Sequence, residues 1–89
     1  MIHVKQAVQI AKAHAVDMLG QSNLTLEEVD RDEFRGRDVW IITLGYPLDL
    51  SRLPDLNRIA AEPVQYKRFF IDAQTGEMLA MLLREHAHS

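Results

Sequence analysis

The sequence predicts an α+β domain in which one N-terminal helix packs on a three- to four-stranded antiparallel sheet. Three observations support this fold class. The chain opens with an amphipathic segment at helical spacing, and a run rich in β-branched and aromatic residues occupies its middle, Val39–Leu44. Near the C-terminus, two apolar runs flank the turn sequence Asp72-Ala-Gln-Thr-Gly76, a pattern typical of a β-hairpin.

The helix is predicted to extend from His3 to Leu19. At about 100° per residue, its apolar side chains fall within about a third of a turn around the helix axis, while polar residues lie elsewhere. The apolar set is Val4, Ala7, Val8, Ala11, Ala15, Met18 and Leu19. Gly20 predicts the end of the helix, because glycine readily adopts the left-handed conformation found there. The alanines of the inner face would let the helix lie close to a sheet.

The segment Leu24–Phe34 is predicted to be an edge strand that carries a bulge. Its alternation is only partial, since Val29 is out of step with the two leucines that precede it. Its many charges suit an edge. Arg35-Gly36-Arg37 then predicts a tight reversal into a central strand over Asp38–Tyr46.

The C-terminal hairpin is predicted over Val64–Leu83. Asp72 can accept a hydrogen bond from the backbone ahead of it, and Gly76 can take a positive φ, so Ile71 and Met78 can lie on paired strands. The segment 47–63 that precedes the hairpin is too long for a plain connection, and a short helical turn is expected in it from Asp55 to Ala61.

Both faces of the predicted sheet are apolar. Alternation places Trp40, Ile42 and Leu44 on one side of the central strand, and the hairpin's second strand repeats the pattern. The other side of the central strand carries Val39, Ile41 and Thr43. Because one helix covers only one face, we expect an uncovered apolar face that forms a homodimer or binds another protein. The alternative is that the segment 47–63 folds across that face. The residues predicted to bind a partner are Trp40, Ile42, Leu44, Phe70, Leu79 and Met81.

Composition narrows the class of protein. The 89 residues make one domain over 1–89, and 47% hydrophobic with 26% charged residues is typical of a folded globular protein. A net charge of -3 disfavours nucleic acid as a partner. With no cysteine, the chain has no disulfide, thiolate zinc site or Cys nucleophile. It has neither a secretory signal nor an apolar run of about 20 residues, so we expect a cytoplasmic protein with no membrane contact.

Candidate catalytic and metal-binding groups are few. His86 and His88 could bind a metal with His3 or His14, but imidazoles on a chain terminus hold metal weakly, and a polar tail is the expected interpretation. Paired carboxylates in the predicted edge strand could supply an acid and a base, yet a solvated edge leaves such groups unactivated. We therefore expect no enzyme, no cofactor and no metal. An alternative function is a small-ligand binder with a pocket under the 47–63 segment.

Three segments resemble the PepSY family of small domains, known from propeptides of thermolysin-type metallopeptidases and from stand-alone bacterial proteins. They are Val4–Ala11 in the helix, Val39–Leu44 in the central strand and Phe69–Leu79 in the hairpin. The resemblance implies a cystatin-like arrangement of one helix on three or four antiparallel strands, no cofactor, and a role in binding or restraining a peptidase or another protein. A looser resemblance, through Trp40 and Asp72–Glu77, is to cytoplasmic immunity proteins of bacterial toxin systems. It implies a toxin as the partner.

Overall fold

A computed structural model describes residues 1–47 and 64–83 of the chain. Within them one helix is followed by four strands: α1 (Val4–Leu19), β1 (Thr25–Phe34), β2 (Arg37–Pro47), β3 (Val64–Asp72) and β4 (Met78–Leu83). The strands form one antiparallel sheet in the order β1-β2-β3-β4. The predicted α+β fold class is confirmed. The helical turn predicted at 55–61, the pocket predicted under the 47–63 segment, and His86 and His88 lie outside the described residues.

The ends of α1 follow local signals. A hydrogen bond stabilises its first turn: the backbone N–H of His3 donates to the side-chain oxygen of Gln6 at 3.0 Å. At the other end Gly20 has φ 66°, and its N–H donates to the carbonyl of Val16 at 3.1 Å. The helix therefore ends where the sequence predicts, at a left-handed glycine. In the described part of the chain, no helix is long and apolar enough to span a bilayer.

The core lies between α1 and the middle of the sheet. Three alanines on successive turns of α1 are fully buried, and their small side chains bring the helix axis close to β2 and β3. The fully buried residues of this cluster are Ala7, Ala11, Ala15, Ile42, Leu44, Phe69 and Ile71. Around them pack partly buried side chains, among them Trp40 and Met81.

The helix covers the face of the sheet that carries Trp40, Ile42 and Leu44. Trp40, Ile42 and Leu44, three of the residues predicted to bind a partner, therefore lie beneath the helix and not on an uncovered face. The physical reason is that strand alternation determines which residues share a face, but, when both faces are apolar, not which face a helix will cover.

The face away from α1 is buried at its centre as well. Val39, Thr43 and Phe70 are all buried, although none of them faces the helix. The ring of Phe34 packs against that of Phe70 in a tilted arrangement, with centroids 4.5 Å apart and an interplanar angle of 39°. The guanidinium of Arg35 lies over the Phe34 ring at 4.7 Å. This face is therefore not an open apolar surface at these positions.

The predicted bulge of the first strand is confirmed. The pairing of β1 with β2 shifts register between Leu26 and Glu28, so that Leu26 lies opposite Leu44 and Val29 lies opposite Ile42. An extra residue in one strand changes the alternation by one step. The bulge thus brings both apolar side chains of β1 to the helix side of the sheet.

Candidate protein-binding surface

An apolar groove runs between α1 and β1. Because α1 packs over β2 and β3, β1 extends past the helix and leaves a gap of about 430 Å³. The helix lines this gap with Val4 and Val8, and β1 lines it with Leu26 and Val29. The polar side chains of Lys5 and Gln9 also line it. We call this feature the α1–β1 groove.

Local structure explains why these four apolar residues meet. Val4 and Val8 are one turn apart, beside the alanine row that packs on β2 and β3, so they form a second apolar row on the β1 side. The bulge in β1 turns Leu26 and Val29 toward them. Leu26 is 43% exposed and Val29 is 36% exposed. The groove therefore keeps a substantial apolar surface in contact with water.

The strand beside the groove is an acidic edge of the sheet. Among the described residues β1 pairs only with β2, so its outer edge has no strand beside it. Five of its ten residues are acidic: Glu27, Glu28, Asp30, Asp32 and Glu33. Asp30 and Asp32 lie opposite Ile41 and Val39, on the side of the sheet away from α1. Over Leu26–Asp32 the side away from the helix therefore carries carboxylates, whereas the helix side carries Leu26, Val29 and Arg31; Glu33, opposite Asp38, also lies on the helix side.

Trp40 holds the start of α1 onto the sheet. Its indole N–H donates to the carbonyl of Ile2 at 3.2 Å, and the N–H of Ile2 donates to the carbonyl of Ala73 at 2.7 Å. The guanidinium of Arg31, the residue opposite Trp40 on β1, lies over the indole ring at 4.7 Å. Trp40 is thus part of the scaffold that positions the helix and, with it, one wall of the groove.

The turn between β3 and β4 is organised by Asp72. One carboxylate oxygen, Oδ1, accepts hydrogen bonds from the backbone N–H groups of Gln74 and Thr75 at 2.7 and 3.0 Å. The other, Oδ2, lies 3.2 Å from Nη1 of Arg37, which also lies 3.2 Å from Oε1 of Glu77. The two backbone hydrogen bonds, helped by Arg37, lower the pKa of Asp72 against the opposing effect of burial. Asp72 is therefore a structural anion whose oxygens are already engaged, rather than a catalytic acid.

A smaller polar pocket of about 200 Å³ lies where β1, β2 and β3 meet beside Tyr66 and Glu27. Gly45 is one of its lining residues, and a Cβ there would lie 3.2 Å from both the Tyr66 ring and a Glu27 carboxylate oxygen. Tyr46 also lines it, and burial raises the pKa of its phenol from 10.0. A phenol with a raised pKa stays protonated at neutral pH, so Tyr46 is poorly suited to act as a base.

The described residues offer no further reactive arrangement. No group of three or more His, Asp or Glu side chains in residues 1–47 and 64–83 is placed to hold a metal ion. In the same part of the chain, every buried side-chain nitrogen or oxygen has a hydrogen-bond partner. There is accordingly no buried polar atom in these residues that a ligand would be needed to satisfy.

The six residues predicted to bind a partner do not share one surface. Ile42 and Leu44 are fully buried under α1, and Trp40 and Met81 pack around them. Phe70 is buried on the opposite face, and Leu79 is half-buried in β4. None of the four apolar groove residues was among those that the sequence predicted to bind a partner. The signal that could have identified them is the out-of-step Val29, together with the Val4 and Val8 row beside the alanines.

The fold and the groove define a class of protein: a small α+β domain with an apolar groove beside an acidic sheet edge, which has no further strand beside it in residues 1–47 and 64–83. The chain matches no protein family, no curated protein and no solved structure with which it was compared. The resemblance to PepSY domains stays a prediction.

Proposed function

We propose that this protein is a non-enzymatic binding module that holds or modulates another protein by surface contact. The observation that carries the proposal is the α1–β1 groove, where Leu26 and Val29 remain exposed opposite Val4 and Val8. Covering apolar surface of this kind is worth roughly 25 cal/mol per Å², before the cost of association is subtracted. A partner that fills the groove would gain this free energy.

The groove suits a polypeptide better than a small molecule. Small-ligand sites enclose most of their ligand and carry a few convergent polar groups. This groove is open to solvent, and its polar lining consists of Lys5 and Gln9, both exposed. The adjacent edge of β1, in contrast, offers backbone N–H and C=O groups of the kind that pair with an added strand.

The proposal is tested by affinity capture from extracts of the source organism, with three forms of the protein as bait. The groove variant carries Leu26→Asp and Val29→Asp. The control variant carries Val16→Asp and Met18→Asp, which are similarly exposed, at 49% and 52%, but do not line the groove. We expect a protein that the wild type and the control retain and the groove variant loses. A protein that all three baits retain equally would contradict groove binding.

The homodimer predicted from the sequence requires a different surface from the sheet face, because Val39, Thr43 and Phe70 are buried in the single chain. We propose that it forms through β4. In the part of the chain that the structure describes, this strand is the second edge of the sheet; its six residues are uncharged, and Leu82 and Leu83 are 47% and 55% exposed. Exposed, uncharged edges are prone to pair with another strand.

Pairing of β4 with β4 of a second copy is self-complementary, since a two-fold axis between antiparallel strands brings no like charges together. The same arrangement at β1, with the two-fold axis at Arg31, would set Asp30 of one copy opposite Asp32 of the other, which is unfavourable. The chemistry of the two edges therefore favours β4 for self-association and leaves β1 for a different partner. The identification of that partner as a peptidase or a toxin rests on the two family resemblances alone.

A further inference from the structure

We infer that the partner contributes an extended segment with alternating apolar and basic side chains, which pairs with β1 as a fifth strand. This inference rests on the proposed binding function and specifies the chemistry of the partner. It follows from the fact that β1 has two chemically different sides. Leu26 and Val29 face the helix side, whereas Asp30 and Asp32 face away from it.

Because β1 has two different sides, strand geometry predicts an alternating pattern of side chains in the partner's segment. Residues directly opposite each other on neighbouring strands project to the same side of the sheet, and successive residues project to opposite sides. Every second side chain of an added strand would therefore enter the α1–β1 groove, beside Val29 and beneath Val4 and Val8. The side chains between them would lie next to Asp30 and Asp32.

The negative charge of the β1 edge favours basic residues at the partner positions that lie next to Asp30 and Asp32. Asp30 and Asp32 are both exposed, and in the described part of the chain neither makes an ion pair. The cation nearest in sequence, Arg31, projects to the helix side, where its guanidinium lies over the Trp40 ring. Lysine or arginine opposite the two carboxylates would complement them, and acidic side chains would be repelled.

Other occupants fit less of the surface. A second copy of β1 would set carboxylates against carboxylates. Nucleic acid would meet the acidic edge with its phosphates, in a chain whose net charge is -3. A helix laid in the groove would cover Leu26 and Val29 but would leave the backbone of the β1 edge unpaired. An alternating strand satisfies the apolar groove, the carboxylates and the backbone together.

The test uses three dye-labelled synthetic peptides and fluorescence anisotropy. The first peptide has four Lys-Val repeats, the second has the same composition with the lysines and valines in separate blocks, and the third has four Glu-Val repeats. We expect the alternating basic peptide to bind about tenfold or more tightly than the blocked peptide, and the acidic peptide to bind least. Equal binding of the alternating and blocked peptides would overturn the inference.

Variants then separate this inference from the proposed function. Asp30→Lys should weaken binding of the alternating basic peptide about tenfold, whereas Asp17→Lys, the same charge change on the exposed side of α1, should leave it nearly unchanged. Circular dichroism of each variant checks that the fold is retained. If Val29→Asp abolishes binding while Asp30→Lys has no effect, the groove function stands and the basic-strand inference fails. If neither variant affects binding, both proposals fail.

Hydrogen exchange supplies the backbone evidence. Strand addition should protect amides of β1 when the alternating peptide is bound, while the amides of the opposite edge, β4, keep their exchange rates. A peptide that perturbs Val4 and Val8 without protecting β1 amides would be bound in another way, and that result would overturn the fifth-strand inference.

Discussion

Arg37 and Asp72 join the two hairpins of the sheet: Nη1 of Arg37, the first residue of β2, lies 3.2 Å from Oδ2 of Asp72, the last residue of β3. The Asp72 side chain is almost fully buried, whereas that of Arg37 is about half exposed. Because the other oxygen of Asp72 accepts two backbone N–H groups of the following turn, its charge is stabilised mainly by hydrogen bonds and secondarily by the guanidinium. One carboxylate thus links the β1–β2 and β3–β4 ends of the sheet.

This arrangement predicts a loss of stability in acid. The pKa of Asp72 is lower in the folded protein than the ordinary value of 3.8, so the folded state binds a proton less readily than the unfolded state. The stabilisation is therefore fully present above that value and is lost as the pH falls below it toward the folded-state pKa. Urea unfolding between pH 2 and pH 7 should show Asp72→Asn to be less stable than the wild type near neutrality, with the difference shrinking in acid.

Asp17→Asn provides the control for this experiment, because Asp17 is exposed on α1 and outside this network. Its unfolding curve should follow that of the wild type across the range. A difference between Asp72→Asn and the wild type that persists unchanged at the lowest pH would mean that the carboxylate charge is not what stabilises the turn.

The elements themselves could be predicted because each depends on a local signal. The end of α1 at Gly20 follows from the conformational freedom of glycine, and the β1 bulge follows from the out-of-step Val29. The two-residue turn at Arg35 and Gly36 has φ 54° and 79°, which suits the tight reversal expected there. The pairing of Ile71 with Met78 across the Asp72 turn was expected and is confirmed.

The covered face and the groove could not be predicted in the same way. Alternation groups Trp40 with Ile42, but the choice between that face and the one with Val39 depends on how well the alanine row of α1 fits each surface. The groove depends on the lateral position of α1 over β2 and β3, which leaves β1 uncovered. No single stretch of sequence encodes a displacement between a helix and a strand.

The close approach of α1 to the sheet predicts that Ala11→Leu is destabilising. Ala11 is fully buried in the core cluster, so a larger side chain must push the helix away from β2 and β3 or adopt a strained rotamer. We expect a loss of about 1–3 kcal/mol in the free energy of unfolding, measured by urea titration. Ala13→Leu, at an exposed position of the same helix, should change it by less than about 0.5 kcal/mol. Equal losses in the two variants would contradict the close packing.

Trp40 is predicted to contribute to stability through its indole N–H as well as its ring. Trp40→Phe keeps an aromatic ring but removes the hydrogen bond to the Ile2 carbonyl, which should lower the free energy of unfolding by about 1 kcal/mol or more. Phe34→Leu replaces an aromatic ring elsewhere on the sheet and serves as the control variant, in which the exchange rate of the Ile2 amide is also measured. Only Trp40→Phe should speed exchange of the Ile2 amide, whose carbonyl acceptor is Ala73. Unchanged exchange there would contradict a role for Trp40 in holding the start of α1.

The chemistry of the β4 edge predicts a dimer that a single charge disrupts. Leu82→Lys places one ammonium group from each copy in the same uncharged interface, so the dimer should dissociate. Val29→Lys makes the same kind of change in the opposite edge strand and should leave the dimer intact while impairing binding at the groove. Size-exclusion chromatography with light scattering, over a hundredfold range of concentration, measures the oligomeric state of both variants. A wild type that stays monomeric at the highest concentration, or a Leu82→Lys variant that remains dimeric, would show that β4 is not the self-association surface.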